Sequence, residues 1–131
     1  MTKKELSQVY WLKKEIEMQT KQLEEFENLA TSCSRFITGM PRIPGFRDKI
    51  SEYAAEIADL KSLIDLNIKK CFFEFNRINR YINSVDDSLV RQILSLRYIG
   101  GMSWRKVAFS VGGRNTEDTV RMIHNRFLSR N

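Results

Sequence analysis

The sequence predicts an all-α fold, with an N-terminal antiparallel, coiled-coil-like helical hairpin followed by a C-terminal helix-turn-helix. Three observations lead there. Apolar residues recur at heptad spacing along two long segments, a Gly- and Pro-bearing stretch separates those segments, and two short amphipathic segments flank a Gly-Gly pair near the C-terminus.

The first seam is Val9, Leu12, Ile16, Gln19, Leu23, Phe26 and Ala30, spaced three and four apart with one polar break. Ile50, Tyr53, Ile57, Leu60, Ile64, Asn67 and Cys71 form the second. Gln19 and Asn67 are the polar members that could set register. Between the seams, Thr31–Arg47 contains Gly39, Pro41, Pro44 and Gly45, and is read as the loop at which the chain reverses. The second helix is long, from about Asp48 to Ile82. Its C-terminal part adds Leu63, Leu66, Ile68, Phe72, Phe73, Phe75 and Ile78, an apolar girth wider than one seam. A lone hairpin leaves Phe72, Phe73 and Phe75 wet, so the C-terminal headpiece or another subunit is expected to cover them. The expected division is 1–85, a hairpin for oligomerisation or partner binding, and 86–131, a helix-turn-helix headpiece.

Within the headpiece, Ser84, Asp86 and Asp87 after Asn83 read as a helix start. Gly100 and Gly101 can take positive φ and end that helix, and Ser103 is a good N-cap for the next. In Ser103–Val111, Trp104, Val107, Ala108 and Val111 share one side while Arg105 and Lys106 face away. Gly112 and Gly113 supply the turn. Thr116 caps the last helix, and Glu117 and Asp118 suit its positive N-terminus. Val120, Ile123 and Phe127 point inward, leaving Arg121, Met122, Asn125 and Arg126 on other faces. His124 lies near the DNA-facing or packed side of this helix, and a lone His there is expected as a phosphate contact or a surface residue rather than as a general base.

Charge separates the two halves. Residues 86–131 carry eight basic against four acidic side chains, whereas residues 1–30 carry five against six. With a formal net charge of +6, the chain favours polyanionic partners, and its basic excess lies where a phosphate-binding surface is expected. No stretch approaches the roughly 20 apolar residues of a membrane span. Glu5, Lys13, Lys14 and Glu15 interrupt any signal-peptide core after Lys3 and Lys4. Cys33 and Cys71 are read as reduced thiols of a cytoplasmic protein, and with His124 they make no spaced zinc set. Neither Gly pair is followed by the Lys-Ser/Thr of a phosphate loop, and no acid/base or nucleophilic constellation is visible. The expectation is a non-enzyme without metal or cofactor.

Leu94-Ser-Leu-Arg-Tyr98, the Gly100-Gly101 pair, Ser103-Trp104 and Val107-Ala108 resemble region 4 of bacterial sigma factors. Over nearly its full length the chain resembles small phage-encoded sigma-like regulators of Gram-positive hosts, akin to late-gene activators. The segments Thr38-Gly-Met-Pro41 and Arg80-Tyr-Ile-Asn-Ser-Val-Asp86 carry that likeness. The resemblance implies a cytoplasmic, sequence-specific transcription regulator that binds double-stranded DNA and works with the host's RNA polymerase. It places Arg97, Ser103 and Arg126 at phosphate contacts and Glu117, Asp118, Arg121 and Met122 on the base-facing stretch of the recognition helix. The headpiece's charge and helical faces add Arg105, Lys106, Arg114, Thr116 and Arg130 to the phosphate set and Asn125 to the base-reading set.

Two departures matter. The turn Val111-Gly-Gly-Arg-Asn-Thr116 is about two residues longer than in host sigma factors, which typically carry arginine and glutamine where this chain has Glu117 and Met122. Arginine reads guanine bidentately and glutamate accepts from cytosine N4, so a different target sequence is expected. Two other functions compete: a small-terminase-like DNA-packaging recognition subunit, and a protein-binding inhibitor that keeps a sigma-like fold.

Overall fold

The computed structural model describes the backbone of residues 1–37 and 46–130, with side chains over residues 1–32 and 49–130. Among these residues every regular element is helical: α1 (Lys3–Leu6), α2 (Gln8–Ile37), α3 (Phe46–Asn83), α4 (Ser88–Leu94), α5 (Trp104–Val111) and α6 (Glu117–Arg130). The π-turn Ser95–Ile99 continues α4. No helix among the described residues is long and apolar enough to cross a membrane. The long helices run further than the sequence suggests, because Thr31–Ile37 and Phe46–Arg47 of the expected loop are helical. The Gly39, Pro41, Pro44 and Gly45 signals, with Thr38-Gly-Met-Pro41, lie outside the described residues.

The chain forms two compact units, Met1–Lys13 with Lys70–Asn131, and Lys14–Lys69. This division does not follow the expected boundary at 85/86. The first thirteen residues and the end of α3 pack with the C-terminal helices.

In the Lys14–Lys69 unit, the seam residues are the least exposed side chains on both helices. Ile64, Gln19 and Asn67 are buried, and Asn67 Nδ2 donates to Gln19 Oε1 at 2.8 Å. A buried amide pair satisfies both polar groups, and sliding either helix would orphan them, so the pair fixes register. Phe26 meets Tyr53 with ring centroids 6.5 Å apart, and Lys61 pairs with Glu27 at 3.7 Å. Residues advancing along α2 therefore meet residues receding along α3.

The other unit begins with a capping box: Thr2 Oγ1 accepts the Glu5 amide while the Glu5 carboxylate accepts the Thr2 amide at 2.8 Å. That backbone hydrogen bond, chiefly, holds the Glu5 carboxyl below the usual carboxylate range. Leu6 and Val9 are buried with Ile78, Ile82, Val85, Val90, Leu94 and Tyr98, and Phe75 and Cys71 pack against the edge. Cys71 carries a free thiol. A second cluster joins Ile93, Val107, Ala108 and Val120, and Ile123 packs against both. Phe75 is thus covered as expected, but Phe72 and Phe73 are not, at 68% and 66% exposed. On a helix, three aromatics at 72, 73 and 75 cannot all face one core.

His124 departs from expectation. Its side chain is fully buried, edge-on to Trp104 at 4.7 Å and hydrogen-bonded to the Tyr98 hydroxyl. Nδ1 faces Asn125 Oδ1 at 3.0 Å, an acceptor, which leaves Nε2 to accept the Tyr98 proton. It lies beside Val120 and Phe127 on the buried stripe of α6, and its polar atoms are satisfied there.

Burial lowers the His124 pKa from its ordinary value, outweighing the hydrogen bond that its Nδ1 donates to Asn125, and Lys3 and Arg97 add repulsion of the charged form. The unfolded chain then takes up the proton first. This contribution to stability is complete above the unfolded pKa of about 6.5 and is lost as pH falls toward the lowered folded value. The melting temperature is expected to drop between about pH 7 and pH 5, and His124→Gln should flatten that slope whatever its absolute stability. An unchanged slope in the variant would remove the assignment. Tyr98 acts on the opposite limb: burial pushes its pKa up to about 12, so its contribution is lost as pH rises through the alkaline range.

Candidate nucleic-acid interface

Ser103 starts α5, with Oγ accepting the Lys106 amide at 3.4 Å. Val107 and Ala108 are buried, Trp104 and Val111 half-buried, and Arg105 and Lys106 exposed, the faces expected from spacing. Ahead of α5, only one of two expected positive-φ glycines has that geometry. Gly101 lies at φ 64°, whereas Gly100 lies at −78° and its amide bonds to Ser95 O at 2.9 Å, closing the π-turn. A Cβ on Gly100 would meet Leu96 O at 2.8 Å, so close backbone approach is what requires glycine there.

After α5, Gly112 takes φ 69°, ψ −153°, a region that essentially only glycine occupies. Gly113 and Arg114 follow at φ 63° and 67°. Asn115 locks the turn by donating from Nδ2 to Gly112 O at 2.9 Å. Thr116 Oγ1 accepts the Thr119 amide at 3.2 Å, the cap expected for α6.

α6 buries Val120 and His124 and half-buries Ile123 and Phe127. The opposite stripe is Glu117, Asp118, Arg121, Met122 and Asn125, all exposed except the half-buried Arg121. These five residues follow helical spacing and share one face. They are not independent. Arg121 Nη2 pairs with Glu117 at 2.7 Å and Nη1 lies 3.7 Å from Asp118, so two carboxylates offset the one guanidinium of the stripe. Exposed pairs of this kind contribute about 0–1 kcal/mol, little enough for Arg121 to exchange partners.

The phosphate candidates fall into two groups. Arg105, Lys106, Arg114, Arg126 and Arg130 are exposed, with no carboxylate partner among the described residues. Arg97, Ser103 and Thr116 already have internal tasks. Arg97 Nη1 donates to Met102 O at 2.8 Å and its guanidinium lies over the Trp104 ring at 4.6 Å, bracing the π-turn against α5. Its other N–H groups have no protein acceptor among the described residues, so one side chain can brace the turn and present donors outward.

Two features escaped the sequence reading. Phe109 is 89% exposed and lines a groove of about 610 Å³ with Met102, Arg105, Lys106 and the start of α6. Its place off the Trp104–Val107–Ala108–Val111 face was the available signal. A smaller groove sets Lys3, Ser7 and Trp11 beside Arg97 and Ser103, a juxtaposition of residues some ninety apart in sequence that no local pattern announces. Among the described residues no three His, Cys, Asp or Glu side chains are placed to hold a metal ion.

Arg114 offers a two-sided test. A non-glycine residue in the left-handed region is strained by roughly 1 kcal/mol, partly offset by the unfolded-state entropy that glycine would add. Arg114→Gly is expected to leave stability unchanged or raise it by up to about 1 kcal/mol while weakening duplex binding through the lost cation. Thermal melts and fluorescence anisotropy on the same preparation check both signs. Reduced stability with unchanged affinity would reverse the assignment.

No family model, curated protein or solved structure matches this chain.

Proposed function

We propose that α5, the glycine turn and α6 form a sigma-region-4-like helix-turn-helix, and that the protein is a sequence-specific DNA-binding transcription regulator of phage or prophage origin. In this reading α6 enters the major groove. Glu117, Asp118, Arg121, Met122 and Asn125 face base edges, while Arg105, Lys106, Arg114, Arg126 and Arg130 hold phosphates, helped by Arg97, Ser103 and Thr116. What carries the reading is the arrangement around α6: an exposed polar stripe opposite a buried one, flanked by cations with no carboxylate partner among the described residues. A 14-residue helix is about 21 Å long and 10–12 Å across with its side chains, dimensions that suit a groove about 12 Å wide. The helical hairpin of α2 and α3 is the proposed seat of protein contacts, with RNA polymerase or a second copy of the chain as the partner.

Selection of bound duplexes from a random pool tests this. An enriched motif is expected, and Arg121→Ala and Asn125→Ala should relax base preference at separate positions, by about 1–3 kcal/mol each where the contact is bidentate, with melting temperature nearly unchanged. No enrichment by the wild-type chain would sink sequence-specific recognition.

One observation favours a second reading, a protein-binding inhibitor on the same fold. Phe109 is too exposed for a residue that serves the core, and it borders an apolar groove. Phe109→Ser separates the two: it should spare duplex binding in the first reading and abolish polymerase capture in the second.

A further inference from the structure

We propose that a second copy of this chain docks antiparallel on α3, through a face separate from the one that meets α2. The α2-facing seam runs through Ile57, Leu60, Ile64 and Asn67. One residue earlier, about 100° around the helix, lies a second stripe: Glu56, Asp59, Leu63, Leu66, Lys70 and Phe73. All six are exposed, with Leu63 at 43%, Leu66 at 48% and Phe73 at 66%. The stripe keeps the alternating four–three spacing of a coiled-coil face, so it can form a continuous seam with another helix.

Its composition identifies the occupant. The spacing reads the same in both directions, and the charges at equivalent places are opposite: acidic before the leucine pair, basic after it. A two-fold axis between residues 64 and 65 puts Leu63 on the partner's Leu66 and Asp59 on the partner's Lys70, each contact occurring twice. Glu56 then faces the partner's Phe73, whose ring can pack on the carboxylate's apolar stem. A parallel pair would instead set Asp59 against Asp59 and Lys70 against Lys70, two repulsions at the places where the antiparallel pair has attractions.

Neither Asp59 nor Lys70 forms an ion pair within the chain among the described residues, whereas the neighbouring Lys61 reaches Glu27 at 3.7 Å. Both charges are therefore available to a partner. An isologous contact of this kind closes on itself and stops at two copies. It does not depend on the DNA-binding reading: a chain that dimerises without binding duplex keeps this inference and loses that one.

Sedimentation equilibrium of the full chain tests it, with circular dichroism to establish that each variant stays helical. The wild type is expected to form a reversible dimer. Asp59→Lys and Lys70→Asp should each weaken it about tenfold or more, since each replaces two attractions by two repulsions. The double variant carries the same pairs reversed and should recover wild-type association. Should a reversal variant lose its helicity, Asp59→Asn and Lys70→Gln serve instead, with smaller weakening expected. A wild-type monomer at high micromolar concentration overturns the proposal. So does association indifferent to the single changes, or a double variant no stronger than the singles.

Discussion

Val107→Asp is expected to unfold α5 and α6 and to abolish duplex binding with them. Val107 is fully buried in the cluster with Ile93, Ala108 and Val120. An aspartate there must either carry an unpaired charge in an apolar site or take up a proton and still lose its water. Either route costs several kcal/mol, comparable to the whole stability of a small domain at about 5–15 kcal/mol. Ile123→Asp should approach this effect, because Ile123 packs against both core clusters, although it is only half-buried. Near-ultraviolet circular dichroism follows the loss of tertiary packing around Trp104. A variant that melts within about 1 kcal/mol of wild type would mean that this cluster is not a core.

Salt should control affinity more strongly than any single side chain. Each phosphate neutralised contributes about −0.9 to the slope of log K against log salt. With Arg105, Lys106, Arg114, Arg126 and Arg130 engaged, raising salt from about 50 to about 200 mM should weaken binding roughly 500-fold, and roughly 2,000-fold if Arg97 also contributes. Arg126→Ala should reduce the slope by about one and weaken binding about equally on every sequence. Anisotropy titrations across four salt concentrations measure this. An affinity indifferent to salt, or no binding to any duplex, ends the DNA-binding reading.

The helical faces were legible in the sequence because burial on a helix follows a fixed period. Gln19, Ile64 and Asn67 are buried where heptad spacing puts them, and Ser103, Thr116 and Asp87 cap where a side-chain acceptor precedes an amphipathic run. Periodicity reports which side of a helix is dry and says nothing about what dries it. Hence the paired amides Gln19 and Asn67 could be named as register setters, but the exposure of Phe72 and Phe73 could not be foreseen from their apolar character.

The sequence by itself determined the all-helical class, the seams, the caps and the glycine turn between α5 and α6. Each of these depends on neighbours within about one heptad. Tertiary structure alone decided three further matters. Leu6 and Val9 share a core with Ile78, Ile82 and Leu94, so the compact units are not divided at residue 85. His124 is a buried partner of Tyr98 rather than a surface contact. Arg97 and Arg121 are partly committed, one to Met102 and Trp104 and the other to Glu117 and Asp118. The core and the Tyr98 and Arg97 contacts join residues on different elements, and the Arg121 pairs depend on which rotamer that side chain adopts. Burial, pKa and free donor capacity follow from those surroundings, which local spacing does not encode.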